Sequence, residues 1–168
     1  RQMCIRDRST VVSSGHQIPV ETASDRILSA DVGAVRSNPP GSNSAVDGYG
    51  FAGPIPEGPQ IMQLCDGRAA AGVPFAGGVE KGQAVRILTG AILPDGVDTV
   101  VLEEDCTIEP ERIAFNGPLK QWSNTREAGE DVIVGTTIFK RGRRLTATDL
   151  SLLASAGAVS YTHLTPAD

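Results

Sequence analysis

Three short segments, far apart along the chain, set oxygen-bearing side chains beside glycine. The first is Pro39-Pro40-Gly41-Ser42-Asn43-Ser44-Ala45-Val46-Asp47-Gly48-Tyr49-Gly50. Two prolines fix their own φ and stiffen its entry. Asp47-Gly48 is a turn dipeptide, because Asp tolerates left-handed or turn backbone and Gly supplies positive φ without strain. The composition predicts a bend that presents Asn43, Ser44 and Asp47 outward, with one carboxylate at the turn. An ordinary connecting loop has the same composition.

The second segment is Arg86-Ile87-Leu88-Thr89-Gly90-Ala91. It places a hydroxyl at the end of an apolar strand, where a rigid scaffold meets an open cleft and the hydroxyl can reach a ligand oxygen. A threonine that bonds only its own turn backbone fits the same residues. The third is Asn124-Thr125-Arg126-Glu127-Ala128-Gly129-Glu130-Asp131. Its adjacent carboxylates suit a hard divalent cation such as Mg²⁺, which takes oxygen ligands and keeps several waters. The bland alternative is a solvated acidic turn with Arg126 as a surface partner.

The elements that must carry these segments are mostly strands. Ala84-Val85-Arg86-Ile87-Leu88 alternates with period two, so Val85 and Ile87 share a buried face. Asp98-Thr99-Val100-Val101-Leu102 is a β-branched run with strong strand preference. Ile61 to Cys65 reads as a strand and residues 66–78 as a small-residue loop. Cys106–Ile108 and Arg112–Phe115 can pair across Glu109-Pro110-Glu111. Val132–Val134 and Thr137–Phe139 read as strand pieces on either side of Gly135. Ile18 to Val35 reads as strand, a helical turn or two around residues 22–26, then strand. One helix is expected late: Thr146 and Asp149 form a capping box, Leu150, Leu153 and Ala154 recur at helical spacing, and Gly157 suits the position just past the end. The basic run Lys140-Arg141-Gly142-Arg143-Arg144 reads as a solvated turn before that helix.

Composition sets outer limits. At 168 residues the chain has room for one ordinary domain or two small modules. Apolar residues make up 40% but aromatics only 4%, so the core is expected from Val, Ile, Leu and Ala. Nineteen glycines and eleven prolines suit short strands and tight turns better than a helix bundle. The net charge of −5 argues against a nucleic-acid partner, since that binding rests on phosphate neutralisation by Lys and Arg. No apolar run is long enough to span a membrane, and no signal peptide is seen. The three cysteines, Cys4, Cys65 and Cys106, lack zinc spacing and read as reduced thiols of a cytoplasmic protein. Met3 to Arg8 and Val159 to Thr165 resemble translated sequencing-adapter sequence, which sets residues 1–10 and 160–168 apart as non-native tails.

Taken in order, the three segments resemble the molybdopterin molybdenumtransferase family, the MoeA and gephyrin E-domain proteins of molybdenum cofactor biosynthesis. The resemblance also takes in Arg26-Ile27-Leu28-Ser29-Ala30-Asp31-Val32, Asp98-Thr99-Val100-Val101 and Glu104, and it runs from Ile18 to Val159. Gly41, Ser42, Val46 and Glu127 depart from the family pattern. Glu127 stands where a second Arg is usual, which would weaken anion contacts nearby.

The resemblance implies an α+β, mostly β fold: an elongated linker/dimerisation region interrupted by an inserted β-rich domain, with one late helix. It puts the first part of the linker at 11–38, the inserted domain at 39–131, and the second part with the capped helix at 132–159. It implies insertion of molybdate into adenylylated molybdopterin with release of AMP. Asp47, Thr89 and Asp131 would be catalytic, Asn43, Ser44 and Arg126 would bind substrate, and Asp47 and Asp131 would hold Mg²⁺. It further implies a cytoplasmic homodimer with a site shared across subunits, and contact with the molybdopterin adenylyltransferase. The family's pterin-binding α/β motifs are missing from this chain, so the 168 residues alone are expected to be inactive. Two other readings stay open: a dimerising, receptor-anchoring scaffold of gephyrin type, and a purely structural β-domain.

Overall fold

The computed structural model describes residues 15–158 and the backbone of residues 160–164. Along the chain run β1 (Gly15–Pro19), β2 (Ile27–Leu28), β3 (Val32–Gly33), β4 (Asn43–Ser44), β5 (Gly48–Phe51), β6 (Ile55–Ala69) and β7 (Gln83–Ile87). They continue with β8 (Thr99–Leu102), β9 (Thr107–Glu109), β10 (Arg112–Leu119), β11 (Thr125–Arg126), β12 (Thr137–Phe139), the helix α1 (Ala147–Ser155) and β13 (Ser160–Leu164). The chain is thus mostly β with one α-helix among the described residues. No described helix is long and apolar enough to cross a membrane. Residues up to Asn38 form one compact unit with those from Val132 onward, and Pro39–Asp131 form a second.

The second unit is built on a six-stranded sheet in the order β8-β5-β7-β6-β10-β9. β6 pairs with β7 in parallel, and the other neighbours are antiparallel. Val85 and Ile87 are both fully buried, as their alternation predicts, and Ala84 is buried as well. The largest core cluster gathers Tyr49, Phe51, Ile55, Met62, Ala84, Val101, Ile113 and Phe115. Composition alone predicts an aliphatic core. Three of the seven aromatics nevertheless lie here, with the Phe51 and Phe115 rings stacked at 5.2 Å between centroids. Aromatic pairs at such separations add to area burial.

β6 is far longer than the stretch from Ile61 to Cys65 that reads as strand in the sequence. It runs on through residues assigned to a loop, because its second half finds β7 as a partner after a register shift between Leu64 and Arg68. Strand formation of this kind comes from pairing rather than from local residue preference. Residues 107–109 and 112–119 do form the expected hairpin.

In the first unit β12 pairs with β3, while β1, β13 and β2 make a three-stranded sheet. Ser160–Leu164 therefore pairs on both sides through its backbone, although the sequence reading left these residues out of the fold. The reading of residues 1–10 as a tail lies outside the described residues. Val132–Val134 is not a strand. Val132 makes a single bridge to Asn38, and Ile133 and Val134 are exposed where the backbone turns toward Gly135.

α1 has the capping box its sequence predicts. The Thr146 hydroxyl accepts from Asp149 N–H at 3.3 Å, and the Asp149 carboxylate accepts from Thr146 N–H at 3.0 Å. Gly157 takes φ +78°, and Gly157 and Ala158 donate back to Ala154 and Leu153 in a Schellman closure. Three of the four basic side chains in the run before the helix are paired within the unit. Lys140 meets Asp31, Arg144 meets Asp25, and Arg143 meets Asp149 while lying 4.4 Å over the Phe139 ring.

Candidate functional site

The second unit brings the three segments together as neighbours. β4, the middle of the first segment, pairs with β11 of the third: Thr125 opposes Ser44 and Arg126 opposes Asn43. Toward the second segment, Ser44 N–H donates to Ala91 C=O at 2.9 Å and Gly90 N–H donates to Ser44 C=O at 2.8 Å. Further bonds extend the ladder, from Leu93 N–H to Ser42 C=O, Ala45 N–H to Asn124 C=O, and Gly129 N–H to Pro39 C=O. The segment that looks like a free loop is thus pinned by backbone hydrogen bonds on both sides.

Asp47 and Thr89 meet directly. The Thr89 hydroxyl donates to Asp47 Oδ1 at 2.6 Å and Thr89 N–H donates to the same oxygen at 2.7 Å. The hydroxyl bond, then the N–H bond, hold the Asp47 carboxyl below its ordinary pKa, against a small opposing effect of burial, and Arg86 adds to the lowering. Hydrogen bonds to the ionised form favour that form. Asp47 is exposed, and no hydrogen bond or ion pair among the described residues reaches its other oxygen, Oδ2. The result is a fixed, charged carboxylate with one oxygen spent and one open.

Gly48 is needed for a different reason from the one its dipeptide suggests. It lies in β5 and does not take positive φ. A Cβ there would sit 1.9 Å from Val101 C=O, so only glycine lets β5 approach β8 this closely. That approach sets the start of β5 and hence the position of Asp47. Asp47 C=O is tied in turn by Glu103 N–H at 3.1 Å.

The other candidate residues divide. Arg126 pairs with Asp131 at 2.5 Å and with Glu130 at 3.3 Å. Its pKa rises, first through the Asp131 bond and then through Glu130. Much of its charge is therefore answered by its own segment. Ser44 does not face outward. It is 1% exposed, and its hydroxyl donates to Val46 C=O at 2.7 Å, closing the bend before Asp47. Pairing on both sides of β4 turns its side chain inward. Asn43 is partly buried, and its Oδ1 is a buried acceptor with no hydrogen-bond partner.

Asp98 is a useful contrast. Burial pushes its pKa up, but donation from Gly53 N–H, Gln121 and Thr99 outweighs this and leaves it lowered. Both of its oxygens are used. Arg86 carries no site signal in the sequence beyond a lone charge within an apolar strand. Its guanidinium pairs with Glu103 at 2.8 Å close to Asp47.

The donor set bears on Mg²⁺. The open Oδ2 of Asp47 suits an ion that takes one or two carboxylates and completes its shell with water and substrate phosphate. Asp131 is shared with Arg126, so the guanidinium competes with a cation there. No cluster of three or more His, Cys, Asp or Glu suited to a metal occurs among the described residues. The fit is to a substrate-completed ion at Asp47, not to a metal cage made by the protein.

Comparison with known proteins agrees with the fold. The family model described as the MoeA N-terminal region (domain I and II) matches residues 2–157. A molybdopterin molybdenumtransferase of Haemophilus influenzae is 37% identical over 140 residues, covering 82% of this chain and 34% of that protein. A molybdopterin molybdenumtransferase of Synechococcus elongatus is 33% identical, covering 84% and 36%. The crystal structure of the molybdopterin biosynthesis moeA protein from Pyrococcus horikoshii OT3 superposes with a TM-score of 0.81 at 26% identity, over 89% of this chain and 41% of that one. The chain spans about a third of the length of the curated relatives it matches.

Proposed function

The chain belongs to the MoeA N-terminal region family, and from that premise we propose that it forms one wall of a molybdenumtransferase site. The reaction is insertion of molybdate into adenylylated molybdopterin with release of AMP. The observation that carries this reading is the Asp47–Thr89 corner. A carboxylate fixed by two donors on one oxygen and open on the other is suited to act on a ligand.

The physical difficulty of the reaction is charge. Molybdate, phosphate and dithiolene sulfurs are all anionic and must be brought together. Preorganised donors and cations lower the cost of doing so. Mg²⁺ would be held by Asp47 through its open oxygen, with Asp131 joining only where the ion displaces the Arg126 guanidinium from it, and the bound ion would supply positive charge against that repulsion. Thr89 keeps Asp47 ionised and its orientation fixed. Arg126, opposite Asn43, holds the third segment against the first and can lend charge to an anion. Asn43 and Ser44 would line the substrate's approach from the first segment; the Ser44 hydroxyl is spent on Val46 C=O and Asn43 Oδ1 is buried, so both shape the wall rather than offer a free acceptor.

The native protein is a cytoplasmic homodimer in which this wall faces a pterin-binding α/β part of the partner subunit. It receives its pterin substrate from the molybdopterin adenylyltransferase. The 168-residue chain alone does not catalyse the reaction. The test is to assay AMP release from adenylylated molybdopterin, with molybdate present, for the full-length protein and for this chain. AMP release by the full-length protein only supports the proposal. A full-length protein that releases none, or an active isolated chain, contradicts it.

A further inference from the structure

Resting on the reading above, we propose that Arg68 and Arg86 form a subsite for a tetrahedral oxyanion beside the Asp47–Thr89 corner. The two arginines stand directly opposite each other on β6 and β7, and Tyr49 of β5 flanks Arg86 on its other side. Residues opposed in this way share a face of the sheet. Like charges directly opposite are destabilising, and an anion between them removes that penalty.

Only one of the two has a carboxylate partner. Arg86 pairs with Glu103, with 41% of its side chain exposed, and its Nε is buried without an acceptor. Arg68 is exposed and makes no ion pair among the described residues. Glu103 does two things here: its carboxylate braces Arg86, and its N–H holds the Asp47 carbonyl. Arg86 is therefore tied to the corner through one residue, by an ion pair at one end of Glu103 and a hydrogen bond at the other. Guanidinium groups match phosphate-like oxyanions through paired, charge-assisted hydrogen bonds. Asp47 opposes an anion there, so removing its charge must strengthen oxyanion binding.

The ligand chemistry is shared by the phosphoryl group of the nucleotide and by molybdate. Calorimetric titration of the 168-residue chain with inorganic phosphate, AMP and molybdate separates them. Saturable binding of any of the three supports the subsite. Tighter AMP than phosphate assigns it to the nucleotide, and binding of molybdate without AMP assigns it to the metal oxyanion. Arg86→Gln and Arg68→Gln each weaken the binding about tenfold. Arg86→Lys recovers only part of the loss, because the planar fork is gone. Asp47→Asn binds more tightly.

Arg112→Gln removes a charge from the β9–β10 hairpin, where Arg112 pairs with Glu109, and leaves the affinity unchanged. Arg68 has no partner to lose, so its variant keeps the test valid even if Arg86→Gln fails to fold. No saturable binding, wild-type affinity in both arginine variants, or equal loss in Arg112→Gln overturns the subsite. Failure of the molybdenumtransferase reading would show separately, in AMP release by the full-length protein.

Discussion

Two carboxylates, one in each unit, are held in similar ways and left in different states. In the unit containing α1, Asp149 accepts from the Arg143 guanidinium on both oxygens and from Thr146 N–H on one of them. In the β-rich unit, Asp47 accepts twice from Thr89, on one oxygen only. Both have lowered pKa values. Asp149 is 6% exposed and its oxygens are spent on a helix cap and an ion pair. Asp47 is exposed and keeps an oxygen open. A low carboxyl pKa therefore does not separate a structural acid from a candidate functional one. The number of unspent acceptors does.

The largest effect that bears on this contrast is Gly48→Ala. The added carbon meets Val101 C=O, so β5 and β8 must part. We expect a loss of about 3 kcal/mol in chemical denaturation. A near-normal midpoint would mean that the position of Asp47 does not depend on that close approach. Thr89→Val comes next. It deletes the hydroxyl donor but keeps the N–H, so the Asp47 pKa rises toward its ordinary value, and full-length activity falls about tenfold. Carbon NMR titration of the Asp47 carboxyl follows the first change, and an unmoved pKa would refute the role given to the hydroxyl.

On the structural side, Thr146→Ala removes the helix cap and costs about 1 kcal/mol in urea unfolding. Activity per folded molecule of the full-length protein should not change, and a selective loss of activity would blur the contrast. The smallest effect is confined to acid. The Asp149 pKa is lowered to about 2, first by the Arg143 bond and then by Thr146 N–H. A depressed folded-state value stabilises the protein above the unfolded pKa of 3.8 and loses that contribution as pH falls toward 2. Asp149→Asn should flatten this part of the stability curve, read as melting temperature between pH 5 and 2. A wild-type acid slope in that variant would assign the acid sensitivity to other groups.

Local features were the most legible in the sequence. The box from Thr146 to Asp149 and the stop at Gly157 involve residues a few positions apart, and they appear as expected. The same holds for the hairpin across 109–111. What failed was set by partners distant along the chain. Gly48 reads as a turn residue, yet its constraint comes from Val101, and β6 extends because β7 lies beside it. Ser44 reads as outward-facing, yet the pairing of β4 on both sides buries it. The contact of Asp47 with Thr89 is encoded in neither segment alone. The family resemblance implies only that both residues serve one site; the bond between them comes from the fold. Arg86 is not legible in the sequence, because its meaning depends on Glu103 and Arg68, which only the folded strands bring near.

Asp47→Asn in the full-length protein tests the central claim most directly, with AMP release and the urea midpoint read on the same preparation. The amide keeps an acceptor oxygen for both Thr89 donors, loses the charge and replaces the open oxygen by an NH2 donor. The account predicts activity lower by roughly two orders of magnitude, with the unfolding midpoint only slightly lower, since the neutral amide weakens the two Thr89 bonds that favour the ionised form. Wild-type activity, or a collapsed midpoint that explains the lost activity, would show that Asp47, like Asp149, serves only the fold.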